Sequence, residues 1–371
     1  MVRHTSFLVI LISFLTLISC DGLKIPKNVF DSSERAKYER SFSGSDSVMI
    51  QWKKEFSDAS KNQLKIKDGA SFIFNTDASA SHAFGYSVDL HKGDLLVIET
   101  ERADVSKKIF IDLLDQNSGS EIMKTEIIKN NLFSQHIEND GPYKLVIQPE
   151  IGYSEIFKIK IYTQPSLKFP VAGKGNKNVQ SFWGASRDGG GRSHEGVDIF
   201  APRGTPVVAV ADGYIVRTGN QGLGGKQVWL RDDAVGNSHY YAHLDSILAE
   251  NGKRVKTGDT LGLVGNTGNA AGGATHLHFG IYSAAGATDP YPSIRERSAP
   301  KFISSSTSEK FSGKYLKAGS NIRSGPGTQY EILSTNDLKK SILILSTDGS
   351  WYHIKTQDGI EGFATKERIE R

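Results

Sequence analysis

Residues 193–215 read SHEGVDIFAPRGTPVVAVADGYI, and the way this stretch must fold sets the character of the chain around it. Val197, Ile199 and Pro202 beside Gly196 argue against a helix. A straight strand would hold His194 and Asp198 about 13 Å apart, at about 3.3 Å per residue, too far to share an ion. Gly196 supplies the bend that brings them together. Further on, THLHF at 275–279 sets His276 and His278 two apart in an apolar run, so on a strand they face the same side. Five of the ten histidines (His194, His239, His243, His276 and His278) fall between 194 and 278. An even spread would place about two there. A hydrolytic zinc wants about three N or O donors at about 2.0 to 2.2 Å and one open position for water. H-x-x-x-D followed by H-x-H offers such donors, with one member of the second pair left to reach substrate or water.

Outward from this centre, Val207–Val210, Tyr214–Val216, Val228–Leu230 and His239–Tyr241 read as successive strands, and glycine makes up about a fifth of residues 173–286. Glycine at that density suits tight turns and backbone lying close to an extended ligand, so a β-sheet floor to a narrow groove is expected. The Gly189-Gly190-Gly191 loop delivers His194. Phe182 and Trp183 suit a groove wall or a core equally. Positions 239, 241 and 243 share a strand face, so spacing does not choose between His239 and His243.

Taken together, SHEGVDIFAPRGTPVVAVADGYI, HYYAHL at 239–244, VGNTG at 264–268 and THLHF resemble the LytM/lysostaphin family of zinc endopeptidases, the M23 peptidases. The resemblance covers about residues 170–292. It implies His194, Asp198 and His278 as ligands of one catalytic Zn²⁺, with water in the fourth position. Zinc lowers the pKa of such a water to about 7. The resemblance also selects His243 and His276 as the groups that move a proton and steady the oxyanion, a task neutral imidazole suits. Asp212 and Asp289 recur in matching stretches and read as structural turn residues. Where many relatives follow HLHF with Glu, this chain has Gly280, which removes no ligand. All five positions are filled, which disfavours a degenerate member.

The expected fold class is mainly β and multi-domain. Residues 1–19 read as a lipoprotein signal peptide: Arg3 and the amino terminus precede an apolar run of about twelve, too short for a span of about twenty. Leu17-Ile18-Ser19-Cys20 resembles a lipobox, which implies lipidation of Cys20, the one cysteine in the chain. The envelope address that follows leaves inner and outer membrane open. Residues 20–62 read as a tether, with a short helix near Ser33–Arg40 and helix near Trp52 and Phe56 able to dock. Residues 63–165 alternate, with Phe84, Tyr86, Val88 and Leu90 and then Phe157, Ile159 and Ile161, which predicts a β-sandwich. That segment weakly resembles the bacterial pre-peptidase C-terminal domain, and its His82, His91 and His136 read as surface or packing residues. The peptidase-like part spans 170–298, and a serine-rich linker covers 299–312. Residues 313–371, with NIRSGPGT at 321–328 and GSWY at 349–352, resemble the bacterial SH3 domain, a small barrel that often binds peptidoglycan peptides; Phe363 stands where many relatives have tryptophan, and His353 reads as a strand residue.

A formal charge of +4 with no dense basic block excludes an argument for nucleic acid. The expected partners are peptidoglycan peptides and a membrane reached through Cys20, and the sequence is silent on oligomeric state. The function implied is a zinc endopeptidase cleaving peptidoglycan cross-links or stems. The alternatives are a non-hydrolytic peptidoglycan-binding regulator of other wall hydrolases, and a zinc peptidase acting on a Gly-rich protein.

Overall fold

The computed structural model describes residues 32–76, 81–117, 121–304, 311 and 314–370. The signal segment and Cys20 lie outside the described residues. Among those described, no helix is long and apolar enough to cross a membrane.

The alternating segments form a sandwich of two antiparallel sheets. One orders its strands Phe84–Leu90, Gly141–Pro149, Ile109–Asp115 and Glu121–Ile127; the other runs Ala70–Asn75, Ile156–Pro165, Asp94–Glu101 and Leu132–His136. Period-two alternation puts Phe84, Tyr86, Val88, Leu90, Phe157, Ile159 and Ile161 into the shared core, none more than 2% exposed. The expected tether is only partly a tether. Helices Glu34–Ser41 and Asp46–Lys61 occupy much of it, and they dock because their few large side chains find partners. Trp52 is buried and its indole N–H donates to the Pro149 carbonyl at 2.9 Å. Arg35 pairs with the buried Asp112 and lies 4.6 Å from the Trp52 ring centre.

The C-terminal barrel does not hang from the serine-rich linker as a separate bead. Its strand Lys340–Thr347 adds to the free edge of Ala70–Asn75, with Ile73 opposite Thr347 and Phe74 opposite Ser346. An unpaired edge exposes a row of backbone donors and acceptors, and here the barrel covers it. Leu345 and Phe363 complete the sandwich core. The Phe363 ring lies 6.2 Å from both Phe72 and Tyr86. His353 is a strand residue as expected, but fully buried at this joint, held by the Tyr86 hydroxyl and the Glu361 carboxylate, each at 2.9 Å.

Between sandwich and barrel in sequence lies the third unit. Its main sheet orders Arg254–Val255, Gly213–Asn220, Lys226–Asp232, Ser238–Ala242, His276–Ser283, Val197–Phe200 and Val179–Ser181. A three-stranded sheet, Pro206–Val208, Thr260–Val264 and Leu244–Ile247, accompanies it, and Val197, Ile199, Val228, Leu230, Leu277 and Phe279 fill the core. The register sets Asp198 directly opposite His278, and Phe200 opposite His276. Two residues from distant parts of the chain thereby become cross-strand neighbours.

Candidate metal centre and groove

Three donor atoms meet at the heart of the third unit. His194 Nε2, Asp198 Oδ1 and His278 Nδ1 form a triangle in which each edge is 3.0 Å. The His194 Nδ1–H donates to the Phe182 carbonyl at 2.9 Å, which leaves Nε2 as a bare lone pair. Two imidazole lone pairs and a carboxylate so close together repel unless a cation or a proton lies among them, and three bonds of about 2.1 Å to one ion produce this kind of closeness. The donor set therefore fits a divalent metal.

Gly196 is required for a reason the bend alone did not reveal. Its φ is not in the left-handed region, but a Cβ built there would come within 2.5 Å of the Phe279 carbonyl oxygen and 2.7 Å of His278 Cε1. The glycine is the space into which the His278 ring fits. The loop that delivers His194 is a two-stranded hairpin, Ser186–Arg187 against Arg192–Ser193, turning through Gly189 and Gly190 at φ 65° and 102°.

Burial pushes the Asp198 carboxyl up, but the close approach of His194 and His278 outweighs it and holds it well below the usual carboxylate range. Its second oxygen accepts from Arg187 Nη2 at 2.7 Å. Burial likewise draws His278 down from its ordinary value, against the pull of Asp198.

His243 and His276 stand beside the triangle in matching poses. Each Nδ1–H donates to a backbone carbonyl at 2.9 Å, that of Thr267 for His243 and that of Ala274 for His276. A carbonyl only accepts, so both rings present Nε2 to the groove. Their centroids are 5.0 Å apart. Burial, then the neighbouring His276 and His278, pulls His243 down to about 4. The face-sharing argument that left His239 and His243 open fails because the strand ends at Ala242, and His243 adopts a left-handed φ of 62°. His239 stays on the buried face with Nε2 2.9 Å from Asp232. The geometry thus brings His194, Asp198, His278, His243 and His276 into one site and leaves His239 out. Asp212 accepts from the Thr257 N–H and hydroxyl, and Asp289 from the Tyr291 N–H, as turn residues do.

The groove over this centre has a volume of about 610 Å³, and all its lining residues fall between Arg187 and Tyr282, so neither the sandwich nor the barrel supplies a wall. Phe182 and Trp183 do not line it; Phe182 packs edge-on against Tyr291 at 5.1 Å. Sequence reasoning missed Arg187, Arg192, Tyr240 and Tyr282, which do. Strand alternation carried a signal for Tyr240: with His239 buried, its neighbour must face the other side. At Gly280 a Cβ would lie 3.0 Å from the Glu195 carbonyl oxygen and 3.1 Å from the Tyr282 ring, so a side chain there would press on both neighbours.

Comparison with known proteins matches residues 192–290 to Peptidase family M23 and residues 318–370 to the Bacterial SH3 domain. An L-Ala--D-Glu endopeptidase of Bacillus subtilis (strain 168) is 36% identical over 140 residues, 34% of this chain and 42% of that protein. Lysostaphin of Staphylococcus simulans is 33% identical over 157 residues, 41% of this chain and 28% of its own length. An uncharacterized lipoprotein of Escherichia coli (strain K12), YgeR, is 38% identical over 106 residues, 29% of this chain and 40% of that one. The chain spans less than half the length of each of these relatives. Among solved structures, the catalytic domain of lysostaphin from Staphylococcus simulans is 34% identical, with 31% of this chain and 92% of that one covered and a TM-score of 0.28.

Proposed function

The chain carries an M23 peptidase domain and a bacterial SH3 domain, and from that premise we propose that it is a zinc-dependent endopeptidase hydrolysing peptide bonds in peptidoglycan cross-links or stems. The observation that carries the reading is the joint placement of three donors at 3.0 Å from one another and two further histidines that present Nε2 to the same open groove. His194, Asp198 and His278 would hold the zinc. When bound, it supplies a Lewis acid for the scissile carbonyl and lowers the pKa of a water.

The chain's own residues do the rest. One of His243 and His276, both locked by their backbone carbonyls in the Nδ1–H tautomer, accepts at Nε2 the proton given up by the attacking water and returns it to the leaving amine. While it holds that proton, the Nε2–H of that ring donates to the oxygen that gains charge as the carbonyl is attacked. Holding both rings in place beforehand avoids reorganisation at the moment of reaction, and the strained backbone at His243 fits that role.

Around this activity we place the protein in the cell envelope, attached to a membrane through a lipidated Cys20. The barrel adds affinity for wall peptides on the faces that its docking to the sandwich leaves open. The test is mass spectrometry of muropeptides released from purified sacculi by metallated protein. Wild type should release new peptide termini and His278→Ala none. Intact sacculi from several wall types, treated with zinc-loaded wild type, would overturn the reading.

A further inference from the structure

The sheet under the groove continues past the metal centre. On the strand His276–Ser283, residues His278, Gly280 and Tyr282 alternate onto one face. The register sets Gly280 opposite Tyr240, Tyr240 opposite Trp229 and Tyr282 opposite Ser238. Three half-buried rings meet there, with the Trp229 ring centre 4.4 Å from that of Tyr240 and 5.2 Å from that of Tyr282. The indole is held in place: its N–H donates to Gln227 at 3.2 Å, and the Arg217 guanidinium lies 4.9 Å from its ring centre. Tyr282 walls the groove and also a second hollow of about 530 Å³, whose lining includes Trp229, Arg231, Asn237 and Ser238 and no carboxylate. That volume lies within the usual range for small-molecule sites.

The backbone of this sheet has no edge here to offer a peptide strand. Lys226–Asp232, Ser238–Ala242 and His276–Ser283 each pair with neighbours on both sides. A chain lying over them therefore meets ring faces and side-chain tips, not free N–H and C=O groups. A pyranose suits such a surface. Its axial C–H bonds present an apolar, weakly positive face to the negative face of an aromatic ring, and its hydroxyls both donate to and accept from an amide, a hydroxyl and a guanidinium. We infer that the hollow is a glycan subsite: Tyr282 and Trp229 stack a sugar ring of the strand that carries the substrate peptide, and Arg231, Asn237 and Ser238 bind its hydroxyls. This deepens the reading given above and rests on it. Tyr282 follows His278 by four positions on one strand, about 14 Å at about 3.4 Å per residue, a distance that about four residues of extended peptide span. The bond cleaved therefore lies in a stem peptide, close to its attachment to the sugar, and not in a bridge beyond the stem.

The experiment uses the full metallated chain and three probes: a synthetic stem tetrapeptide, the same tetrapeptide joined to its amino-sugar disaccharide, and a trimer of N-acetylglucosamine, which carries no peptide. KM and kcat on the two peptides are measured for wild type, Tyr282→Ala, Tyr282→Phe, Trp229→Leu and Asn237→Ala. Binding of the trimer is followed in wild type through the assigned indole N–H resonances of Trp52, Trp183, Trp229 and Trp351. KM for the glycosylated peptide should be about tenfold lower than for the bare one, as a stacked ring with one or two hydrogen bonds supplies. Tyr282→Ala and Trp229→Leu should bring that ratio near one, Tyr282→Phe should keep most of it, and Asn237→Ala should lower it in part. The trimer should move the Trp229 indole resonance, a result that does not depend on how the aromatic variants fold. Equal KM for the two peptides in wild type would overturn the inference, as would a ratio kept in both Tyr282→Ala and Trp229→Leu. So would a trimer that moves the Trp351 indole of the barrel and not that of Trp229, or a bare tetrapeptide that moves the Trp229 indole as far as the trimer does. A trimer bound at Trp229, with neither peptide turned over, would sink the peptidase reading and leave this one standing. Turnover of both peptides at equal KM would do the reverse.

Discussion

Replacing Phe363 with alanine tests whether sandwich and barrel are one folding unit. Its ring is fully buried, 5.1 Å from His353 within the barrel and 6.2 Å from Phe72 and Tyr86 across the joint. Truncating a buried phenylalanine costs about 3–5 kcal/mol, the lost burial plus the cavity left behind. What that does to the melting temperature depends on how much chain unfolds with it. For a cooperative body of 150–250 residues, which is the size of sandwich, helices and barrel together, about 4 kcal/mol corresponds to roughly 8–16 °C. For a barrel unfolding alone the same loss would be roughly 16–32 °C, enough to melt it at ordinary temperatures. The assay is thermal unfolding combined with hydrogen exchange on peptides covering Ala70–Asn75 and Ser320–Arg323. The expected result is a single transition shifted by the smaller amount, with both peptides losing protection together. Loss confined to the barrel peptide, with the sandwich strand as protected as before, would refute the reasoning.

Three further outcomes follow from particular contacts. Gly196→Ala should leave the fold intact but displace His278, weakening zinc binding at least tenfold in competition with a chelator, since its Cβ would meet Phe279 and His278 at 2.5 and 2.7 Å. His243→Gly and His243→Ala should both lose turnover, with the glycine variant the more stable by about 1 kcal/mol in urea titration, because the left-handed backbone strains alanine. Lys144, at the joint between sandwich and helix, is drawn down by burial to about 8 while donating to Asn62. Between that value and the unfolded value near 10.5 the unfolded chain binds the extra proton. Stability relative to Lys144→Met should therefore rise with pH across that window, by about 1.4 kcal/mol per unit at most, as denaturant titrations from pH 7 to 10.5 would show.

The period-two runs told the strands at Phe84–Leu90 and Ile156–Pro165 from sequence because large apolar side chains alternate there with polar or small ones, whereas Ile109–Asp115 is buried along its whole length and gives no alternating burial. Glycine density and the paired histidine motifs likewise announced the sheet and its site. The choice of His243 over His239 was not legible from spacing, since it hangs on one backbone torsion at the end of a strand. Nor was the docking of the barrel, because edge pairing between Ala70–Asn75 and Lys340–Thr347 is made by backbone groups that every sequence shares. Arg187 escaped notice for a related reason: a lone arginine in a glycine-rich loop looks like surface until the hairpin folds it over Asp198.

The most direct measurement of the account's central claim is anomalous diffraction at the zinc edge from crystals of the metallated protein. A single strong peak about 2.0–2.2 Å from His194 Nε2, Asp198 Oδ1 and His278 Nδ1 is the predicted result. A map with no peak among those three atoms, or with the two imidazoles turned away from the carboxylate, would contradict it.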